Sequence, residues 1–189
     1  MCRKSCNQRI MEKLTNCLQK EAEIIEAFIR TNSSKEIDYR SDLFTLVTIE
    51  SYSNKEVEDK APKKAGIYIF IIEEQIDFNK DIFNSVSYGA KSNKNYDNLK
   101  TVQKGCIFYL GKNEKSLSQR LKEHLENDGK GKTYSLKLST SEREYIIDKL
   151  KVHLFVLNDD YKDFAKIILS YIESELHDLL KPIVGSKRA

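Results

Sequence analysis

The chain has 189 residues, 40% hydrophobic and 32% charged, with 7 Gly and 2 Pro, which excludes collagen-like, low-complexity and wholly disordered chains. Its longest apolar run, residues 65–72, is far short of the ~20 residues a membrane helix needs. The first residues, MCRKSCNQRIMEK, lack the apolar core of a signal peptide. The expectation is a soluble, cytoplasmic protein with no membrane partner. Lys and Arg number 32 against 29 Asp and Glu, a net charge of +3. The surplus sits mid-chain: residues 105–138 hold seven Lys/Arg against four Asp/Glu, and residues 61–104 seven against five. A polyanion would be met there, although a solvated Lys-rich loop gives the same count.

Residues 8–31 predict an amphipathic helix, because Ile10, Leu14, Leu18, Ile25, Phe28 and Ile29 recur at three- and four-residue steps. The β-branched run 43–49, LFTLVTI, predicts a strand. The charged stretch 54–64, with Pro62 inside it, reads as a linker, so residues 1–60 are expected to form a helix–strand extension and 61–189 the main domain.

Residues 66–72, GIYIFII, are the strongest strand signal. Alternation sets Ile67, Ile69 and Ile71 on one face and Tyr68, Phe70 and Ile72 on the other. Both faces are apolar, so the sheet should be covered on both sides. Residues 106–110 and 152–157 predict two further strands. The intervening 73–104 is polar but carries Phe78 and Phe83, and reads as an insertion. A helix capped by Ser116 or Ser118 should run to about Glu126 on Leu117, Leu121 and Leu125. Residues 129–132 form a basic loop, 139–149 a short helix, and a last helix opens at Asp159 or Asp160. Its stripe is Ile168, Ile172, Leu176 and Leu179, and it stops before Pro182.

Four cysteines, at 2, 6, 17 and 106, form no C-x-x-C pair, and no histidine stands at zinc-finger spacing. Reduced thiols are expected.

Singly, the polar residues of the second half are ordinary. Arg120 and His124, four apart, share a helix face that is by default solvated, and Glu173 is by default a surface glutamate. Their order carries more. Gly66-Ile67-Tyr68 in a strand, Tyr109-Leu110-Gly111-Lys112 closing the next, Arg120 eleven residues after Tyr109, and Glu173 nine before Pro182 together resemble the GIY-YIG nuclease family, over about residues 61–185.

The resemblance implies an α+β fold, a small antiparallel sheet of about three strands sandwiched by helices. It implies an endonuclease that hydrolyses DNA phosphodiester bonds with one divalent metal, Mg²⁺ or Mn²⁺, and its compact size suggests a restriction-type enzyme. Carried over, Tyr68 matches the GIY tyrosine and is the expected general base, while Tyr109 positions water or phosphate. Arg120 matches the family arginine, His124 a polar site position, and Glu173 the metal-binding glutamate. Gly66 and Gly111 allow close backbone packing. Lys112, Lys130 and Lys132 are the expected substrate-binding cations, and Tyr134 either joins the site or merely packs.

These residue types suit the reaction. An arginine supplies fixed charge to a dianionic transition state. One carboxylate suffices for Mg²⁺, which keeps several waters and takes phosphate oxygens. A tyrosine accepts a proton from water only if its pKa of ~10 falls, and Lys112, Arg120 and His124 are the cations that could lower it.

The chain departs from the family in three ways: Leu110 is the middle residue of the second motif, the interval from Tyr68 to Tyr109 is long, and Gly185-Ser186 stands where an Asn often follows the last helix. Two rival readings remain open, an inert nucleic-acid-binding module on the same fold and a helical partner-binding protein using residues 8–31. Oligomeric state is open too, a homodimer included.

Overall fold

The computed structural model describes residues 6–31, 41–85, 90, 92–125, 135–140 and 143–185. Lys130, Lys132 and Tyr134 lie outside the described residues. In chain order the elements are α1 (Cys6–Thr31), β1 (Phe44–Ile49), α2 (Asn54–Lys60), β2 (Gly66–Ile72), β3 (Ile76–Asp77), α3 (Lys80–Ser85), β4 (Thr101–Val102), β5 (Ile107–Asn113), α4 (Leu117–Leu125), β6 (Leu150–Leu157) and α5 (Ala165–Leu180). Short 3-10 turns cover Lys94–Tyr96, Glu144–Lys149 and Asp159–Phe164.

The fold is α+β, with an antiparallel sheet in the order β1-β6-β2-β5. It has four strands rather than about three. The additional one is β1, which pairs with β6 from Phe44 opposite Leu157 to Ile49 opposite Val152. Without it the apolar β6 would present an unpaired edge. The residues expected as an N-terminal extension thus supply a sheet strand, and α1 packs on α5.

The β2 alternation holds. Ile67, Ile69 and Ile71 join the cluster under α1 and α5, and Tyr68, Phe70 and Ile72 join the cluster under α2 and α4. All seven β2 residues are buried, as a sheet covered on both faces requires. The register shifts between Phe70 and Ile71. This bulge lets Phe108 and Tyr109 share one face while Ile107 and Leu110 share the other.

Three expectations need correction. The stretch read as a linker contains α2, and the Ser53-Asn54-Lys55-Glu56 spacing carries the missed signal: Ser53 Oγ accepts from the Glu56 amide at 3.2 Å, and Val57 is buried. Extended Ala61 before Pro62 ends it. In the stretch expected as the 139–149 helix, Glu144–Lys149 is a 3-10 turn. The last helix is 3-10 over Asp159–Phe164 and α only from Ala165, ending on left-handed Lys181 before Pro182.

Residues 73–104 contribute Ile76, Phe78, Phe83 and Val102 to the core on the Tyr68 face. Beyond α5 the chain runs beside the start of β5, with the Ile183 amide on Ile107 O at 3.1 Å and the Val184 amide on Phe108 O at 2.8 Å. Among the described residues no helix is long and apolar enough to cross a membrane. Cys17 and Cys106 are free thiols.

Candidate active site around Tyr68

Tyr68 leaves the middle of β2 on the α4 side of the sheet. Its partner on β5 is Gly111, where a Cβ would come within 2.7 Å of the Tyr68 Cζ, so the phenol lies across a position that only glycine leaves open. Gly66 does the same for the helix: a Cβ there would lie 2.8 Å from Leu117 Cδ1, at the first turn of α4.

The start of α4 is not an open anion site. Its Leu117 and Ser118 amides are taken by the carbonyls of Lys64 and Pro62, at 2.9 and 3.0 Å. What α4 offers instead is its flank. Arg120 and His124 are on the buried face with Leu117, Leu121 and Leu125, not on a solvated one. Arg120 Nε donates to the Tyr68 Oη at 3.2 Å, and its Nη1 pairs with Glu123 Oε2 at 2.7 Å. His124 Nε2 lies 2.9 Å from the same phenol oxygen.

The tautomer of His124 follows from its other nitrogen. Nδ1 accepts the backbone N–H of Leu136 at 2.9 Å, so it holds a lone pair and the ring proton is on Nε2. Burial first, then the Arg120 charge, push its pKa well below 6.5, which keeps the ring neutral. His124 is therefore a donor to Tyr68. The phenol oxygen accepts two N–H groups, and among the described residues its own hydrogen has no acceptor.

Burial, with the electrostatic influence of Tyr109 and Glu173, raises the Tyr68 pKa well above 10; Arg120 opposes this by charge and hydrogen bond. Lys112 does not contribute. It faces the α5 side, opposite Ile67, with Nζ on Glu114 at 2.6 Å and Ser170 Oγ at 2.9 Å.

Tyr109 stacks beside Tyr68, with ring centroids 6.1 Å apart and planes at 23°, and meets His124 edge-on at 5.0 Å. Gly185 adopts φ +91°, and a Cβ there would reach 2.9 Å from Tyr109 Cε2. The residue at the place of the expected Asn is thus one that the Tyr109 ring needs small.

Glu173 is half-buried on α5. The buried arc of that helix is Ala165, Ile168, Leu169, Ile172, Leu176 and Leu180, whereas Leu179, expected within it, is half-buried. At roughly 100° per residue, Glu173 and Glu175 flank this arc on opposite rims. Glu173 acts on Tyr68, and Glu175 on Tyr171.

Sequence reasoning missed three supporting residues. Tyr52 is fully buried, donates to Leu121 O at 2.5 Å and meets Phe70 edge-on, which seats α4 on the sheet. Glu123 was legible as the i+3 neighbour of Arg120. Arg143 carried no signal at all.

Among the described residues no group of three or more His, Cys, Asp or Glu side chains could hold a metal ion. A single carboxylate such as Glu173 fits only an ion that keeps most of its water or takes phosphate oxygens, as Mg²⁺ does. Compared with known proteins, the chain matches no family model, no curated protein and no solved structure. The GIY-YIG resemblance rests on the motif residues alone.

Proposed function

We propose that the protein is a divalent-metal-dependent DNA endonuclease of GIY-YIG type, with Tyr68 as general base. One observation carries the reading: a buried phenol oxygen that accepts from Arg120 Nε and His124 Nε2 and whose hydrogen has no acceptor among the described residues. Two donors and no acceptor stabilise the phenolate against the burial that, contrary to the fall expected of a tyrosine base, holds the Tyr68 pKa above 10. In a core formed for stability alone, the cheaper solution is a tyrosine that donates, as Tyr52 does to Leu121 O.

Each residue then has a role. Tyr68 first releases its own hydrogen to solvent, and the two N–H bonds hold the negative charge of the phenolate. The phenolate then takes the proton of the attacking water and returns to the neutral phenol. Arg120 is the one permanently charged group on that oxygen, and it offsets charge developing on the phosphate. Neutral His124 donates without adding charge. Tyr109 walls the site and orients water or phosphate. Glu173 would hold the metal, Mg²⁺ or Mn²⁺, which supplies Lewis acidity and charge neutralisation at the phosphate. DNA is the substrate polyanion, and the role a restriction-type one.

The test is cleavage of a mixed panel of plasmid and branched DNA by the purified protein with Mg²⁺. Discrete fragments support a sequence-specific endonuclease, and cutting confined to junctions a structure-specific one. Binding without cutting in Mg²⁺ or Mn²⁺ overturns the reading in favour of the inert binding module.

A further inference from the structure

The donor role of His124 depends on a peptide outside α4. The Leu136 amide fills His124 Nδ1 at 2.9 Å, and the Leu136 carbonyl at the other side of the same residue accepts from Arg143 Nη1 at 2.5 Å. Arg143 has no exposure. Its Nη2 donates to Ile82 O at 2.7 Å, and its guanidinium lies over the Phe83 ring, 4.5 Å from the centroid. The fork is therefore fixed on α3 at one end and on Leu136 at the other, with an aromatic floor beneath it.

An imidazole can donate or accept at either nitrogen, and nothing within α4 chooses between them. The choice is made by the Leu136 N–H. Were that amide to swing away, the ring could place its proton on Nδ1 and accept the Tyr68 hydroxyl hydrogen at Nε2. The phenol would then donate to His124 and accept only from Arg120, instead of accepting two N–H groups.

We propose, building on Tyr68 as the base, that Arg143 is a positioning residue: by pinning the Leu136 peptide between α3 and α4 it locks His124 in the Nε2–H tautomer and so keeps Tyr68 an acceptor. The placement also gives residues 73–104 a part in the site, since Ile82 and Phe83 hold Arg143 in place.

The experiment is long-range ¹H–¹⁵N NMR of the histidines in the full chain near pH 8, with amide exchange at Leu136, for wild type and Arg143→Lys. Wild type should show a single Nε2–H tautomer at His124. Arg143→Lys keeps the charge but loses the fork. It should give a mixed-tautomer signal, Leu136 exchange faster by about tenfold, and kcat lower by roughly tenfold to a hundredfold with DNA binding unchanged.

A wild-type Nδ1–H or averaged signal overturns the proposal, as does a folded Arg143→Lys protein with an unaltered tautomer and unaltered Leu136 exchange. If Arg143→Lys does not fold, Phe83→Leu keeps this core position apolar and takes the aromatic floor from under the guanidinium, and unchanged Leu136 exchange there is equally fatal. The tautomer is read without DNA. A locked tautomer that Arg143→Lys unlocks, in a protein that cuts nothing, sinks the nuclease reading and leaves the positioning role intact.

Discussion

Gly111 stands directly opposite Tyr68 in the β2–β5 ladder, and the Tyr68 ring occupies the volume that any side chain at 111 would need. Gly111→Ala must therefore move the phenol away from Arg120 and His124, or strain the sheet. The expected outcome is a stability loss of about 1–3 kcal/mol together with a fall in cleavage larger than that loss explains. Thermal unfolding and cleavage rates on one preparation check it. An alanine variant with wild-type turnover would mean that the position of the ring is not what the chemistry uses.

Tyr68→Phe keeps the ring and deletes the acceptor of two buried donors. Folding should survive at a cost of about 1–3 kcal/mol, while cleavage falls by roughly 10²–10⁴. Tyr171→Phe, at a half-buried tyrosine on α5, should do neither. Burial first, then the neighbouring groups, hold the Tyr68 pKa above its ordinary value. A base with such a pKa is mostly protonated at neutral pH, so the cleavage rate should climb with pH across about 7 to 9. A flat profile there would assign the base elsewhere.

The sheet and its faces were legible because β2 alternates without interruption and both of its faces are apolar. α2 was not read, since in a seven-residue helix a single buried residue, Val57, leaves almost no periodicity to detect. At the site, Tyr68, Arg120 and His124 were legible as an ordered set of types, and the fold brings all three to one oxygen. Lys112, one of the cations that could have lowered the Tyr68 pKa, is sent by strand alternation to the opposite face from Tyr68. Arg143 and Tyr52 could not be read at all. Tyr52 acts through the carbonyl of Leu121 and Arg143 through those of Leu136 and Ile82, and a bond to a backbone atom leaves no mark on the identity of the residue that accepts it.

Tyr68 and Glu123, both bonded to Arg120, make different predictions. Arg120→Ala removes the charge at the phenol and should reduce cleavage by roughly 10²–10³ with little change in DNA binding. Glu123→Gln leaves the arginine and removes only the carboxylate on its far side, 2.7 Å from Nη1. It should cost turnover much less and tighten DNA binding, because one negative charge near the phosphates is gone. Equal losses in the two variants would make the ion pair, rather than the guanidinium, the working unit.

Glu173 and Glu175 lie on opposite rims of the buried arc of α5, and only Glu173 acts on Tyr68. Glu173→Gln should abolish metal-dependent cleavage and leave DNA binding equal or stronger. Glu175→Gln should leave turnover intact. The opposite pattern would show that the metal is held on the other rim, away from the phenol.

The last prediction concerns the other face of the sheet. His153 on β6 is 2% exposed, lies 2.9 Å from Thr48 Oγ1 through Nδ1, and packs edge-on against Phe28 of α1. Burial first, then Lys151, lower its pKa from 6.5 to about 4, with Glu50 opposing. The folded protein thus keeps this ring neutral where the unfolded chain already binds a proton. Between pH 6.5 and about 4 the unfolded state holds more protons, so stability rises with pH. The contribution is complete above pH 6.5 and is lost as pH falls toward 4, about 3 kcal/mol at most. His124, also depressed, acts in the same direction, so wild type alone cannot separate the two. His153→Gln can, since glutamine bonds Thr48 without titrating. Urea midpoints at about pH 7 and 4.5 should show a drop smaller in the variant by roughly 2 kcal/mol. Equal drops in the two proteins would mean that His153 charges freely in the fold, with the α1 contact yielding to let water reach it.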